Sequence, residues 1–404
     1  MGTTATARWT RAALCLCFLF ASGACASAPT LQFRPVPDAC TISGADVTLP
    51  ARLQAGVFVV EATIDGRGPY HLVLDTGASA LVLSPRVADE LDLPRGGVAS
   101  VEGTFAVGGA QGTEIRVPQA ARVREVRIGG AVLRGIDAML IDMAPFGRAT
   151  GVAIDGLLPA GAFPGFLVTM DFAAGEVVVA QGVLPPPDGG DVLPLDDGTL
   201  PHVTVEVGGR AMSLLIDSGS TDFLSVPGAA AAGLRFRAEP RVTGRFMTIA
   251  GPVASTQARL QGDVAWGRHR LVQPVVTLNA GDEGTCGTAL LDAFRTTFDT
   301  ANRRVRFERT SAAPIHCKPV RSPGFGVLRG GDTWTVAYVL GGTPAATAGL
   351  RVGDRIATVD GLPAAQIGST LFAVIVAASP SIRLGVVRPD GVRELVVPVA
   401  TLVE

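Results

Sequence analysis

Short runs of alternating apolar and polar residues, broken by glycine turns, dominate the chain and predict strands rather than long helices. Two stretches show the pattern most fully: VFVVEATIDGRGPYHLVLDTGASALVLSP at residues 57–85 and PHVTVEVGGRAMSLLIDSGSTDFLSVP at 201–227. Each opens as an alternating strand and turns at Asp65-Gly66 or Gly208-Gly209. Each then returns as an apolar strand and ends in Asp-Thr/Ser-Gly, followed by a short apolar run and a proline. Their downstream partners also match. IDGLLPAGAFPGFLVTMDFAAGEVVVA at 154–180 and GDEGTCGTALLDAFRTTFDTANRRVRFE at 281–308 both read as a glycine-containing apolar loop followed by a closing hairpin. Counting back from Asp171 and Asp299 aligns Phe166 with Phe294 and Gly156 with Gly284. The chain is therefore expected to contain an internal repeat of two β lobes.

A single Asp-Gly is ordinarily a turn. Two equivalent copies, each at the end of an apolar strand, point instead to carboxylates held in place. Glycine at 77 and 219 lets the backbone pass close beneath them, and the hydroxyls of Thr76 and Ser218 can satisfy buried polar groups on the opposite loop. Brought together, Asp75 and Asp217 cannot both be charged without a repulsive cost, so they would share a proton. One member could then activate a water while the other polarises a carbonyl.

The motifs DTGAS at residues 75–79 and DSGS at 217–220 resemble the two catalytic motifs of aspartic peptidases. The compact repeats, with Asp155-Gly156-Leu157-Leu158 and the segment 294–299, are similar to bacterial retropepsin-like aspartyl proteases over roughly residues 50–310. The resemblance implies a mainly β, bilobal fold with Asp75 and Asp217 catalytic and Thr76, Gly77, Ser218 and Gly219 supporting the loops. It also implies a polypeptide substrate held under hairpin flaps. Residues 105–113, with Val107, Gly108 and Gly109 at the centre, fit the first flap, and 243–254 its counterpart. Family members often carry two hydrophobic residues and a glycine beneath each active loop; here Pro159 replaces that glycine and Thr285 one of the hydrophobic residues.

After a break at 317–323 the pattern changes. A short helix from Pro344, a strand at IATV, a second helix over 367–378 and two terminal strands around Pro389-Asp390-Gly391 are expected. Ala348-Gly349-Leu350 and Val352-Gly353-Asp354-Arg355-Ile356 resemble a bacterial PDZ domain, a small α/β fold. That likeness makes Gly324, Phe325, Gly326 and Val327 the carboxylate-binding loop and following strand, where a protein C-terminus would add as a strand. The expected organisation is a signal peptide at 1–26, an N-terminal extension at 27–49, lobes at 50–183 and 184–318, and a PDZ-like domain at 324–404.

Composition agrees with a folded chain: of 404 residues 48% are hydrophobic and only 17% charged, which excludes a disordered solvating chain. A net charge of -2 gives no reason to expect nucleic acid. At the N-terminus, Arg8 and Arg11 precede AALCLCFLFA and then SGACASA, the order of a secretory signal with cleavage after Ala26. The expectation is an exported, periplasmic or envelope-associated protein without a membrane span; Cys25 leaves a lipoprotein form open, although Ser22 stands where that signal usually begins with leucine. Of the three cysteines remaining after cleavage, Cys40 and Cys317 are the expected disulfide, with Cys286 buried. No metal or cofactor signature is visible. His71 and His202 read as structural and His269 as a solvated rim residue. One chain supplies both aspartates, so oligomerisation is not required. The leading reading is an aspartic endopeptidase with PDZ-assisted recognition of substrate or adaptor. The alternative is a noncatalytic exported peptide-binding or scaffold protein of the same architecture.

Overall fold

The computed structural model describes residues 30–31, 33–98, 119–248, 251–309 and 311–404. The expected signal segment at 1–26 and the expected flap tip Val107, Gly108 and Gly109 lie outside them. The chain is mainly β, as its alternating pattern requires.

In the first lobe the strands Val57–Ile64 and Arg67–Asp75 form the hairpin anticipated around Asp65-Gly66. Gly156–Pro159 runs parallel to the second of them, and Leu81–Leu83 fits between Gly156–Pro159 and Ala131–Leu140. Gln119–Ile128 pairs with Ala131–Leu140 and also with Val57–Ile64, so these six strands close into a small barrel. The apolar alternation has its place there: Phe58, Val60, Leu72, Leu74, Leu81, Leu83 and Leu158 all point into the core.

The second lobe repeats the pairing. His202–Val207 and Arg210–Ile216 form the hairpin, Gly284–Cys286 lies parallel to Arg210–Ile216, and Leu224–Pro227 fits between Gly284–Cys286 and Val275–Asn279. The register is the same residue for residue: Gly156 pairs with Leu72, and Gly284 with Leu214, each three positions before its aspartate. A hairpin of Arg241–Thr248 and Gly251–Arg259 extends this sheet where the second flap was expected.

The closing hairpins join the lobes. Leu167–Asp171 pairs antiparallel with Arg295–Asp299, with Thr169 opposite its own repeat partner Thr297. The two buried hydroxyls meet at 3.0 Å, so the pseudo-twofold axis passes between them. Residues expected as an N-terminal extension are woven into this frame: Ala39–Ile42 pairs with Ala131–Leu140, and Asp46–Thr48 edges the interlobe sheet.

The C-terminal domain has the anticipated elements, with helices Pro344–Thr347 and Ser369–Ala378 and the sheet order Phe325–Gly330, Thr333–Val339, Arg355–Val359, Ser381–Arg388, Gly391–Pro398. Its core of Trp334, Val336, Ile356, Ile382 and Leu384 is separate from that of the lobes. It rests on both lobes. The Arg329 guanidinium, 4.9 Å from the Trp334 ring, donates to the Ala149 carbonyl of lobe one at 2.9 Å. The Tyr338 hydroxyl accepts from the Arg245 backbone N–H of the lobe-two hairpin at 3.0 Å.

Two expectations need correction. Cys40 and Cys317 are free thiols. Cys40 is fixed opposite Leu133 in the first lobe, whereas the Cys317 carbonyl accepts from Arg259 of the second, so sheet pairing holds the two cysteines on different lobes. His269 is buried rather than solvated: its imidazole lies 3.1 Å from the Asp191 carboxylate and packs edge-on against Phe294. Alkylating unfolded, unreduced protein should therefore label both Cys40 and Cys317. Mass spectrometry of the resulting peptides checks this, and a linked Cys40–Cys317 peptide would contradict the fold.

Candidate active site

Alternation along the two apolar strands decides where the aspartates point. Leu72 and Leu74 face the barrel core, so Val73 and Asp75 share the opposite face. In the second lobe Leu214 and Ile216 face the core, leaving Leu215 and Asp217 on the equivalent face. A chain turning sharply after each aspartate needs its carboxylate bonded locally, and it is. The Gly77 N–H donates to Asp75 at 2.8 Å; Gly219 and Ser220 donate to Asp217 at 2.8 and 3.1 Å.

Between the loops lies a reciprocal set of four hydrogen bonds. The Thr76 hydroxyl donates to the Ile216 carbonyl at 2.6 Å and accepts from the Ser218 N–H at 2.9 Å. The Ser218 hydroxyl donates to the Leu74 carbonyl at 2.8 Å and accepts from the Thr76 N–H at 3.0 Å. Both side chains are buried, so each hydroxyl satisfies a donor and an acceptor that water cannot reach.

Glycine is required at both crossings. A Cβ on Gly77 would stand 2.8 Å from the Asp217 carboxyl carbon, and one on Gly219 would stand 2.7 Å from that of Asp75. Each glycine thus lies against the aspartate of the other lobe, and the two carboxyls are in hydrogen-bond contact. Burial raises the pKa of Asp75. Burial, and then the charge of Asp75, raise that of Asp217 well above the ordinary carboxylate range. Both directions favour the protonated form, and the titration belongs to the pair rather than to either residue.

Residues 60–160 match the protein family described as Aspartyl protease, and residues 335–388 match the family described as PDZ domain. The chain carries an aspartyl protease domain and a PDZ domain. Asp75 lies inside the first match; Asp217, beyond residue 160, is tied to it by the structural repeat. No curated protein matches the chain.

The other expected positions are distributed as follows. In the PDZ domain, Gly324 has a φ of +89° and a Cβ there would collide with Thr343, which suits only glycine. Phe325 and Val327 turn toward that domain's own core, and Gly326 lies under the Tyr338 ring. Their strand, Phe325–Gly330, ends the sheet, so one edge pairs with no strand among the described residues. Pro159 stands in register opposite Asp75, and Thr285 is buried against Ser225. Among the described residues, no group of three histidine, cysteine or acidic side chains is arranged to hold a metal ion.

Asp222, close to the second motif, has no acid counterpart in the first loop, where residues 79–83 carry none. In the structure its carboxyl is pushed up to about 6 by burial, while a hydrogen bond from Thr277 acts to lower it. The available signal was a length difference, since five residues separate Asp75 from Leu81 but six separate Asp217 from Leu224.

Removing either loop hydroxyl should loosen the lobes. Thr76→Val and Ser218→Ala each leave one buried donor and one buried acceptor unpaired, at about 1–3 kcal/mol per group, so each variant should lose roughly 2–6 kcal/mol. Denaturant unfolding followed by tryptophan fluorescence measures it, and a loss below about 0.5 kcal/mol would show that the grip contributes little.

Proposed function

We propose that this protein is an aspartic endopeptidase whose reaction runs on the Asp75–Asp217 pair. The observation that carries this reading is two carboxyls in mutual contact, Asp217 buried and Asp75 partly buried, delivered by symmetric loops and both raised in pKa. A water held between them would lose a proton to the ionised member as its oxygen attacks the scissile carbonyl carbon. The protonated member would give its proton to the carbonyl oxygen, forming a neutral gem-diol. Collapse of that intermediate would break the C–N bond, with a proton passing to the leaving amine. Charge is never separated far in this scheme, which suits a site where burial penalises a second negative charge.

The PDZ domain suggests peptide binding, and we assign it the recruitment of a substrate or adaptor C-terminus. Support comes from the edge of Phe325–Gly330 that pairs with no strand among the described residues, and from the helix Ser369–Ala378, on which Leu371 and Val374 remain exposed. A peptide added to that edge would gain backbone hydrogen bonds, and its terminal apolar residue would have a surface to cover. The N-terminal segment described above favours export to the periplasm or envelope as the setting.

Three outcomes are expected. Cleavage of an unbiased peptide library, read by mass spectrometry, should fall by at least about a thousandfold in Asp75→Asn and in Asp217→Asn, the scale of losing an acid–base partner. Persistence of cleavage in both would remove the assignment. The same carboxyls carry a stability signature. Because the folded pair holds a proton that the unfolded chain releases near its ordinary pKa, wild-type stability should decline as pH rises above about 4. Asp217→Asn should therefore be the more stable protein at pH 7, with its advantage vanishing near pH 3; an advantage independent of pH would point to another cause. In fluorescence anisotropy, a peptide with an apolar free C-terminus should bind at least about tenfold tighter than its amide, since only the carboxylate accepts charge-assisted backbone bonds. Equal affinities would make the domain a scaffold.

A further inference from the structure

The repeat that builds the two lobes allows their cleft-side faces to be compared position by position. On the aspartate-bearing face of lobe one, a row runs across the sheet in register through Val73, Leu157, Val82, Met139 and Ala120. The equivalent row in lobe two runs through Leu215, Thr285, Ser225, Thr277 and Gln257. The first row is apolar throughout. The second is apolar only at Leu215. The flanking pair repeats the contrast, Ile141 in lobe one against Asn279 in lobe two.

These polar groups are linked. The Ser225 and Thr285 hydroxyls meet at 2.9 Å, and the Asn279 amide donates to Ser225 at 3.2 Å. The Thr243 hydroxyl donates to Gln257 at 2.7 Å, and the Gln257 amide donates to Thr277 at 3.0 Å. Thr277 in turn bonds the Asp222 carboxylate, so donors point along the chain toward Asp222. The bonds fall into two sets, Ser225 with Thr285 and Asn279, and Thr243 with Gln257, Thr277 and Asp222, and each leaves an acceptor over. Asn279 is 2% exposed, yet its Oδ1 has no partner, and Asp222 is met by the Thr277 hydroxyl but by no cation among the described residues. A network that served packing alone would be expected to close its bonds. Asp222, five residues after Asp217 in the chain, and Gln257 both keep some surface.

We propose that the lobe-two side of the site is a subsite for a basic substrate side chain, lysine or arginine, received by Asp222 beside the polar row. The inference rests on the protease reading above and adds the substrate class. An ammonium or guanidinium brings only donors, matching unfilled acceptors, and its charge compensates a carboxylate that protein groups leave unpaired. An apolar side chain placed there would bury those acceptors against carbon at a cost.

The test uses the full chain and a library of peptide pairs that differ only by lysine or norleucine at one fixed position. Cleavage is followed by mass spectrometry, and binding of non-cleavable reduced-amide versions by calorimetry. Lysine should exceed norleucine by at least about tenfold in kcat/KM at one position on one side of the cut bond, the effect of one charge-assisted hydrogen bond. Asp222→Asn should bring that ratio close to one, and Asp222→Lys should turn the preference toward glutamate. Cleavage with a ratio near one in the wild type, or a ratio unchanged in Asp222→Asn, overturns the subsite while leaving the protease reading intact. Lysine-preferring binding without cleavage does the reverse, and neither binding nor cleavage overturns both. The wild-type ratio needs no variant, so it decides the matter even if the substitutions fail to fold.

Discussion

The reciprocal bonding of Thr76 and Ser218 is the constraint from which the rest of the two-lobed unit follows. Each hydroxyl reaches into the opposite lobe and satisfies a backbone carbonyl there while accepting a backbone N–H in return. Four buried bonds made in this way fix two loops against one another with little freedom to slide. The close approach then demands glycine at 77 and 219, because any Cβ would enter the facing carboxylate. Contact between the aspartates is a result of the same geometry. A second tie, the Thr169–Thr297 pair of the interlobe sheet, shares the pseudo-twofold relation and spreads the constraint over the base of the molecule.

Symmetry of the frame makes its departures informative. Core-facing positions next to the aspartates stay aliphatic in both lobes, Leu72 and Leu74 in the first against Leu214 and Ile216 in the second. The opposite faces do not. Val82, Met139 and Leu157 lie with Phe146 and Ile154 in an apolar cluster on the first lobe, while Ser225, Thr277 and Thr285 form a hydrogen-bonded row on the second. Burying hydroxyls and amides where hydrocarbon would serve gives up apolar contact, and the unfilled acceptor on Asn279 adds to that cost. Polarity there is economical if a substrate completes the bonding.

The PDZ domain is not a loosely tethered appendage. Arg329, stacked on Trp334, bonds the end of the lobe-one helix Ala144–Thr150, and Tyr338 bonds the lobe-two hairpin. Both contacts start from the first two strands of the domain, the pair that includes its open edge. The first two strands of the PDZ domain are therefore the part of it that is bonded to both lobes.

By itself the sequence determined the elements, the repeat and the two aspartates. Period-two patterning is local, and a duplicated Asp-Thr/Ser-Gly after an apolar strand is legible because each copy supplies the other's context. The helices and strands of the C-terminal domain were readable for the same reason, through turns at Gly349, Gly353 and Asp390-Gly391. Tertiary structure decided everything that depends on which strands become neighbours. It kept Cys40 and Cys317 apart on different lobes, buried His269 against Asp191 and Phe294, and drew the expected N-terminal extension into two sheets. It also gathered Asp222, Thr277, Gln257 and Asn279, distant in the chain, onto one face. Such residues become a unit only through cross-strand register, a non-local quantity that no short window of sequence contains.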